Sequence, residues 1–190
     1  MLKEFIDFVE DVLPSVNPDL KENASKAIAQ FEKEGHQLQY LLFRPLTELS
    51  QGDIISHVNF MYFEDDGKLK HFQADAMVLS MSCDIDHKNF LLLTPVFPLS
   101  AFKGDVRQLK SNKIFNNMYI PGLEDKFVDF DFINSYNKML LLNGIDNNRI
   151  KRIASLNQLG YYLFIVKLTV FLMRKEGEGM LTLRNGSLTM

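Results

Sequence analysis

Apolar residues recur along this chain with two periods, and the period changes twice. Leu2, Phe5, Ile6, Phe8, Val9, Val12 and Leu13 are spaced three and four apart, with Asp7, Glu10 and Asp11 on the other side. That spacing predicts an amphipathic helix, ended near Pro14. A second helix is predicted from Pro18 at its first position, with Asn17 as N-cap and Gly35 as C-terminal stop. Residues 1–36 therefore read as a helical hairpin with a solvated charged face.

From residue 37 the period shortens. "HQLQYLLFRPL" alternates briefly before Pro45 and reads as a strand or an extended linker. Gly52 allows a sharp turn, Asp53 can bond nearby backbone amides, and Ile54 and Ile55 enter a strand running to about Phe63. Asp66-Gly67 predicts a hairpin turn, after which "LKHFQADAMVLSMS" returns as one or two strands. "CDIDHKN" reads as a polar loop. "FLLLTPVFPL" reads as a buried strand interrupted by Pro95 and Pro98. "SAFKGDVRQLKSN" is a helix or irregular insertion. "NMYIPGLEDKFVDFDF" is a hairpin turning at Pro121-Gly122, with Phe130 and Phe132 alternating against Asp129 and Asp131.

The segment from Asn148 onward reads as one helix, or two meeting near Ser155, and then a Gly-broken tail. Within it, Leu159 to Met173 is apolar nearly all round, which predicts a helix enclosed by other elements. Helices, then short strands, then helices define an α+β chain with an antiparallel sheet. The expected organisation is one compact domain: the hairpin over 1–36, a β core with a helical insertion over 37–133, and a C-terminal helical segment and tail over 134–190. Val78 and Leu92 are expected inside the β shell.

Composition narrows the function classes. The net charge is -3, which argues against a dedicated polyanion binder while leaving room for a local basic patch. The single cysteine, Cys83, cannot form an internal disulfide and points to a reducing, cytoplasmic setting. "MLKEFIDFVEDVL" has acids where a signal peptide needs an unbroken apolar core. The run from Leu159 to Met173 contains Lys167 and is shorter than the roughly 20 apolar residues of a membrane span, so it reads as a core helix, with a peripheral membrane segment as the minor alternative, and no membrane partner is expected.

In the centre of the chain, "GDII" (Gly52 to Ile55), "AMVLS" (Ala76 to Ser80) and "LLLTPV" (Leu91 to Val96) follow one another in order. This set resembles the MazF/PemK family of toxin folds, and a looser bacterial group with "QGDI", "LSxxCDI" and "PV" in series. The resemblance covers about residues 50 to 100. It implies a small SH3-like antiparallel β-barrel flanked by N- and C-terminal helices. It also implies a setting in toxin–antitoxin or phage-defence systems, and an ancestral metal-free cleavage of single-stranded RNA. The family's Arg-Pro pair precedes the "VLS" strand, where this chain has Asp75-Ala76. The family's hydroxyl residue follows the "PV" turn, where this chain has Phe97. A transition state that gains negative charge needs a positioned cation, so the resemblance carries the fold further than the activity.

Several constellations offer chemistry. In "SCDIDH", Cys83 and Asp84 are a candidate nucleophile and its neighbour; the alternative is a strand-end turn with Cys83 buried and Asp84 bonding backbone amides. His57 and His71 lie on the two arms of the hairpin around Gly67 and are candidates for acid–base work on a phosphodiester. Lys103, Arg107 and Lys110 have the three- and four-residue spacing of one helical face, a candidate phosphate contact, with Arg107 also a candidate catalytic cation. A solvated face is the alternative. Cys83, Asp84, Asp86 and His87 are also a candidate metal set, but their spacing fits no standard zinc pattern, and no metal or cofactor is expected. The leading functional reading is a non-catalytic interaction subunit with a protein partner or a second copy. The alternatives are a ribonuclease with a rebuilt site, and a module that binds RNA or DNA without chemistry.

Overall fold

The computed structural model describes residues 18–35, 38–123 and 125–173, together with the single residues 180 and 183. The helix expected from Leu2 to Leu13 lies outside the described residues. The next helix, α1, spans Pro18–Glu34 and stops at Gly35, whose φ of +56° is open to glycine at little cost.

Eight strands follow: β1 (Leu41–Leu42), β2 (Ile54–Phe63), β3 (Leu69–Val78), β4 (Phe90–Pro98), β5 (Asn117–Tyr119), β6 (Lys126–Asp129), β7 (Asn134–Asn137) and β8 (Arg152–Leu156). They form one antiparallel sheet in the order β1-β8-β2-β3-β4-β6-β5, with β7 pairing the other half of β4. The helices between and after them are α2 (Ser82–His87), α3 (Val106–Lys110), α4 (Lys138–Asp146) and α5 (Gln158–Met173). The class is α+β, as the order of patterns predicts.

The expected barrel is not closed by backbone pairing among the described residues. The free edge of β2 is instead bridged to β7 by side chains. Asn134 Oδ1 accepts the Met61 N–H at 2.9 Å, and the Tyr136 hydroxyl donates to the Asn59 carbonyl at 2.5 Å. These two contacts satisfy edge groups that would otherwise face solvent as a template for another strand.

Where β2 enters and β3 leaves, the sheet is buried on both faces, which explains the unbroken apolar runs there. Ile54 and Met77 face one core with α5 residues Leu163 and Phe164. Their neighbours Ile55, Ala76 and Val78 face a second core with Leu91 and Leu93, closed by Ile85 of α2 and Leu141 of α4. Strand side chains alternate, so Leu92 between Leu91 and Leu93 must point away from that second core. It is 46% exposed, a correction to its expected burial, while Val78 is fully buried.

Three local expectations change. "CDIDH" is helix, not loop: α2 starts after Met81, and the Lys88 N–H returns to the Asp84 carbonyl at 2.8 Å. Phe130 and Phe132 leave the strand for a 3-10 turn, because Asp129 accepts the Asp131 N–H at 3.1 Å and caps it. Arg152–Leu156 is a strand between β1 and β2, not helix. Ala154, Ser155 and Leu156 are buried there, so long-range pairing overrides a locally helical pattern.

Helix α5 packs on α1 through Val166 against Ala24 and Ile28. Gly160 lets it approach β1: a Cβ there would lie 2.5 Å from the Tyr40 carbonyl oxygen. The opposite stripe of α5 is not enclosed as expected. Tyr161, Ile165, Leu168 and Leu172 line a surface groove.

Candidate functional site

The "QGD" triplet is a structural node. Gly52 has φ +84°, and a Cβ there would lie 2.7 Å from Leu156 Cδ1. Its N–H donates to the Val78 carbonyl at 2.8 Å, and the Asp53 carbonyl accepts from Val78 at 2.9 Å, which locks the entry of β2 to the exit of β3. Gln51 Nε2 donates to the Leu79 carbonyl at 2.7 Å, and Gln51 Oε1 accepts from the Tyr161 hydroxyl at 3.1 Å. Asp53 is fully buried. Its carboxylate accepts from the Ser50 N–H at 3.0 Å, from Arg152 at 2.7 Å and from the Ser155 hydroxyl at 2.5 Å. Arg152 also donates to the Thr47 and Glu48 carbonyls. Every partner is structural, so Asp53 is held for folding and not free for chemistry.

Immediately beyond this node β2 bulges. Register slips between Ile55 and Val58, and His57 takes φ +59°, a backbone state that costs a non-glycine residue about 1 kcal/mol or more. Ser56 is buried, and its Oγ accepts the Lys151 N–H at 3.0 Å. Oγ also lies 2.7 Å from His57 Nδ1.

The bulge aims His57 at a cavity of about 320 Å³ that it lines with Gln73, Asp75, Phe97 and Lys126. Asp75 and Phe97 are the two positions where the family resemblance expects an arginine and a hydroxyl. The β3–β4 register, with Asp75 opposite Val96, brings them to one place. Lys126 is the cation among the described lining residues, and it bonds Asp75 at 2.9 Å with both side chains about three-quarters buried. A neutralised lysine, a phenylalanine and one imidazole can bind a polar group. They offer no unpaired cation to a developing oxyanion.

The other sequence candidates lie elsewhere. His71 is exposed and pairs with Met61, so the two histidines are not cross-strand partners; Val58, next to His57, pairs with Ala74. Cys83 is exposed on α2 rather than buried, and Asp84 pairs with Lys88 at 2.7 Å. Arg107 is on α3, 3.7 Å from Asp105, the N-cap of that helix. Lys110 is on the same helix, and Lys103 precedes it, so the three-residue basic face is split. No cavity described is lined by more than one of His57, His71, Cys83, Asp84 and Arg107. Among the described residues no group of three His, Cys, Asp or Glu side chains is arranged to hold a metal ion, and no helix is long and apolar enough to cross a membrane.

The largest concave surface described was not expected from sequence. It has a volume of about 630 Å³ and runs between α5 and the exposed face of β4. Ile165, Leu168 and Leu172 form one wall; Met81, Phe90 and Leu92 form the other. Met81, Phe90 and Leu172 are each more than half exposed. The available sequence signal was Leu92, the outward residue of an alternating strand, together with the all-round apolarity of α5. Asp84 and Lys88 mark the polar rim.

No protein-family model matches this chain, and no curated protein matches it either.

Proposed function

We propose that the chain is a non-catalytic, partner-binding subunit of a bacterial toxin–antitoxin-like or antiviral defence system, built on a MazF/PemK-like, SH3-like scaffold and acting in the cytoplasm. The observation that carries the binding role is the apolar groove between α5 and β4. A contiguous exposed apolar surface with a polar rim is the kind of feature that marks an interaction site. The α5 wall presents Tyr161, Ile165, Leu168 and Leu172 at four-, three- and four-residue intervals. That ridge suits a second helix packed along it, so the occupant is an amphipathic helix of a partner protein. The absence of catalysis is supported by the Asp75–Lys126 pair, which occupies the position where the resemblance calls for a free arginine.

The test has two arms. Purified protein is incubated with mixed-sequence single-stranded RNA, with and without chelator. It is also co-expressed with each product encoded beside its gene, and complexes are measured by light scattering. The expected outcome is intact RNA and a stoichiometric heteromeric complex that Leu92→Glu or Leu168→Glu abolishes. RNA fragments lost in His57→Ala would overturn the non-catalytic reading. A complex indifferent to both groove variants would overturn the groove.

A further inference from the structure

A separate cavity, of about 490 Å³, opens between the C-terminal end of α1 and the segment from α3 to Lys113. Phe31 supplies an apolar wall. Arg107, Lys110 and Lys113 bring three cationic side chains, Ser111 a hydroxyl, and Glu32 the one acid among the described lining residues.

The segment carrying these cations is held from behind by two buried polar side chains. Asn112 sits at φ +51°, a conformation asparagine tolerates better than most residues. Its side chain donates to the Tyr119 carbonyl at 3.0 Å and accepts the Tyr119 N–H at 2.8 Å. Lys167, buried in α5, donates to the carbonyls of Asn112 and Ile114. Burying an ammonium group costs free energy. Its effect here is to fix the backbone turn that presents Ser111 and Lys113, which lowers the cost of ordering that segment around a ligand.

Cations near a helix C-terminus often only complement its carbonyls. Helix α1 already carries Lys33 in its own last turn, and the three cavity cations come from another element. The ion pairs of Lys110 and Arg107 are weak, and Lys110 also sits 5.6 Å over the Tyr119 ring. Lys110 lies 3.5 Å from the exposed Asp125, and Arg107 lies 3.7 Å from Asp105 with its side chain almost wholly in solvent. Pairs of that kind contribute little and exchange readily.

We propose that this cavity binds a small molecule bearing a phosphate-like dianion. Lys113, Arg107 and Ser111 take the anion, and Phe31 takes the apolar portion. The volume suits such a ligand. A nucleic-acid strand fits less well, because the cations converge on one cavity and Lys103, which would extend them along a face, does not line it. The cavity shares no described lining residue with the apolar groove, so the inference stands apart from the partner-binding reading.

Calorimetric titration of the full chain with pyrophosphate at low salt tests it. Saturable binding is expected in the wild type and in Lys103→Gln. Arg107→Gln and Lys113→Gln are each expected to weaken it about ten-fold, the loss of one charge-assisted contact. Both side chains are exposed, so the variants should fold, which thermal unfolding checks. Three results would overturn the inference: no saturable binding to the wild type, equal binding by the cavity variants, or tighter binding of a single-stranded RNA that Lys103→Gln weakens.

Discussion

Arg152 on β8 donates to the fully buried carboxylate of Asp53, 99 positions earlier in the chain, at 2.7 Å. The contact joins the entry of β2 to the last strand of the sheet. Removing one partner of a buried pair leaves the other charge unmatched, at a cost of about 3–5 kcal/mol. Asp53→Ala and Arg152→Met are each expected to lower the unfolding free energy by that margin, read from urea denaturation. A double variant should be less than additive. Equal and small single effects would show that the carboxylate is not buried with its charge.

Gly52→Ala is expected to destabilise by about 1–3 kcal/mol, because φ +84° excludes a Cβ and the added carbon meets Leu156 Cδ1. Thermal unfolding reads the loss. Leu156→Ala empties a core position and is destabilising by itself, but it removes the clash, so Gly52→Ala should cost less in a Leu156→Ala background than in the wild type while keeping its dihedral penalty.

The strained backbone at His57 makes two substitutions diverge. Glycine accepts φ +59° freely, so His57→Gly should match or exceed the wild type in stability, by up to about 1 kcal/mol. A β-branched valine at the same dihedral should destabilise clearly. A valine variant as stable as the glycine variant would mean that the bulge is not held in the folded protein.

Stability should pass through a maximum on the alkaline side. Burial lowers the Lys167 pKa from its ordinary 10.5 to about 8. Between those values the unfolded chain holds a proton that the folded chain has released, so stability rises with pH. Tyr40 is pushed up to about 12 by burial and by the charge of Glu34, and burial raises Tyr136 as well. Above pH 10 the unfolded chain loses tyrosine protons that the folded chain keeps, so stability falls. Urea midpoints measured from pH 7 to 11 should rise and then fall. Lys167→Met should flatten the rising limb, and Tyr40→Phe should soften the falling one.

Cys83 is exposed on α2, so one thiol per chain should react with a disulfide reagent without denaturant. Slow reaction, accelerated by urea, would restore the buried position expected from sequence.

Local pattern and turn chemistry determined a good deal by themselves. Gly35 ends α1, Asp66-Gly67 sets the β2–β3 hairpin, and the order of helical and alternating segments defines the α+β class. These signals work because caps, turns and side-chain period act within a few residues. Arg152–Leu156 reads as helix from sequence because nothing in those five residues declares a strand; its partners are Leu41, Leu42, Ile54 and Ile55. The local half of Asp53's role, accepting the Ser50 N–H, was legible, but its bonds to Arg152 and Ser155 and the roles of Lys126 and Lys167 were hidden, since those partners lie 50 or more positions away. The same holds for the apolar groove, whose walls come from β4 and α5. Which charges are neutralised, which grooves stay open and which histidine faces a cavity are properties of long-range packing, and only the folded arrangement decides them.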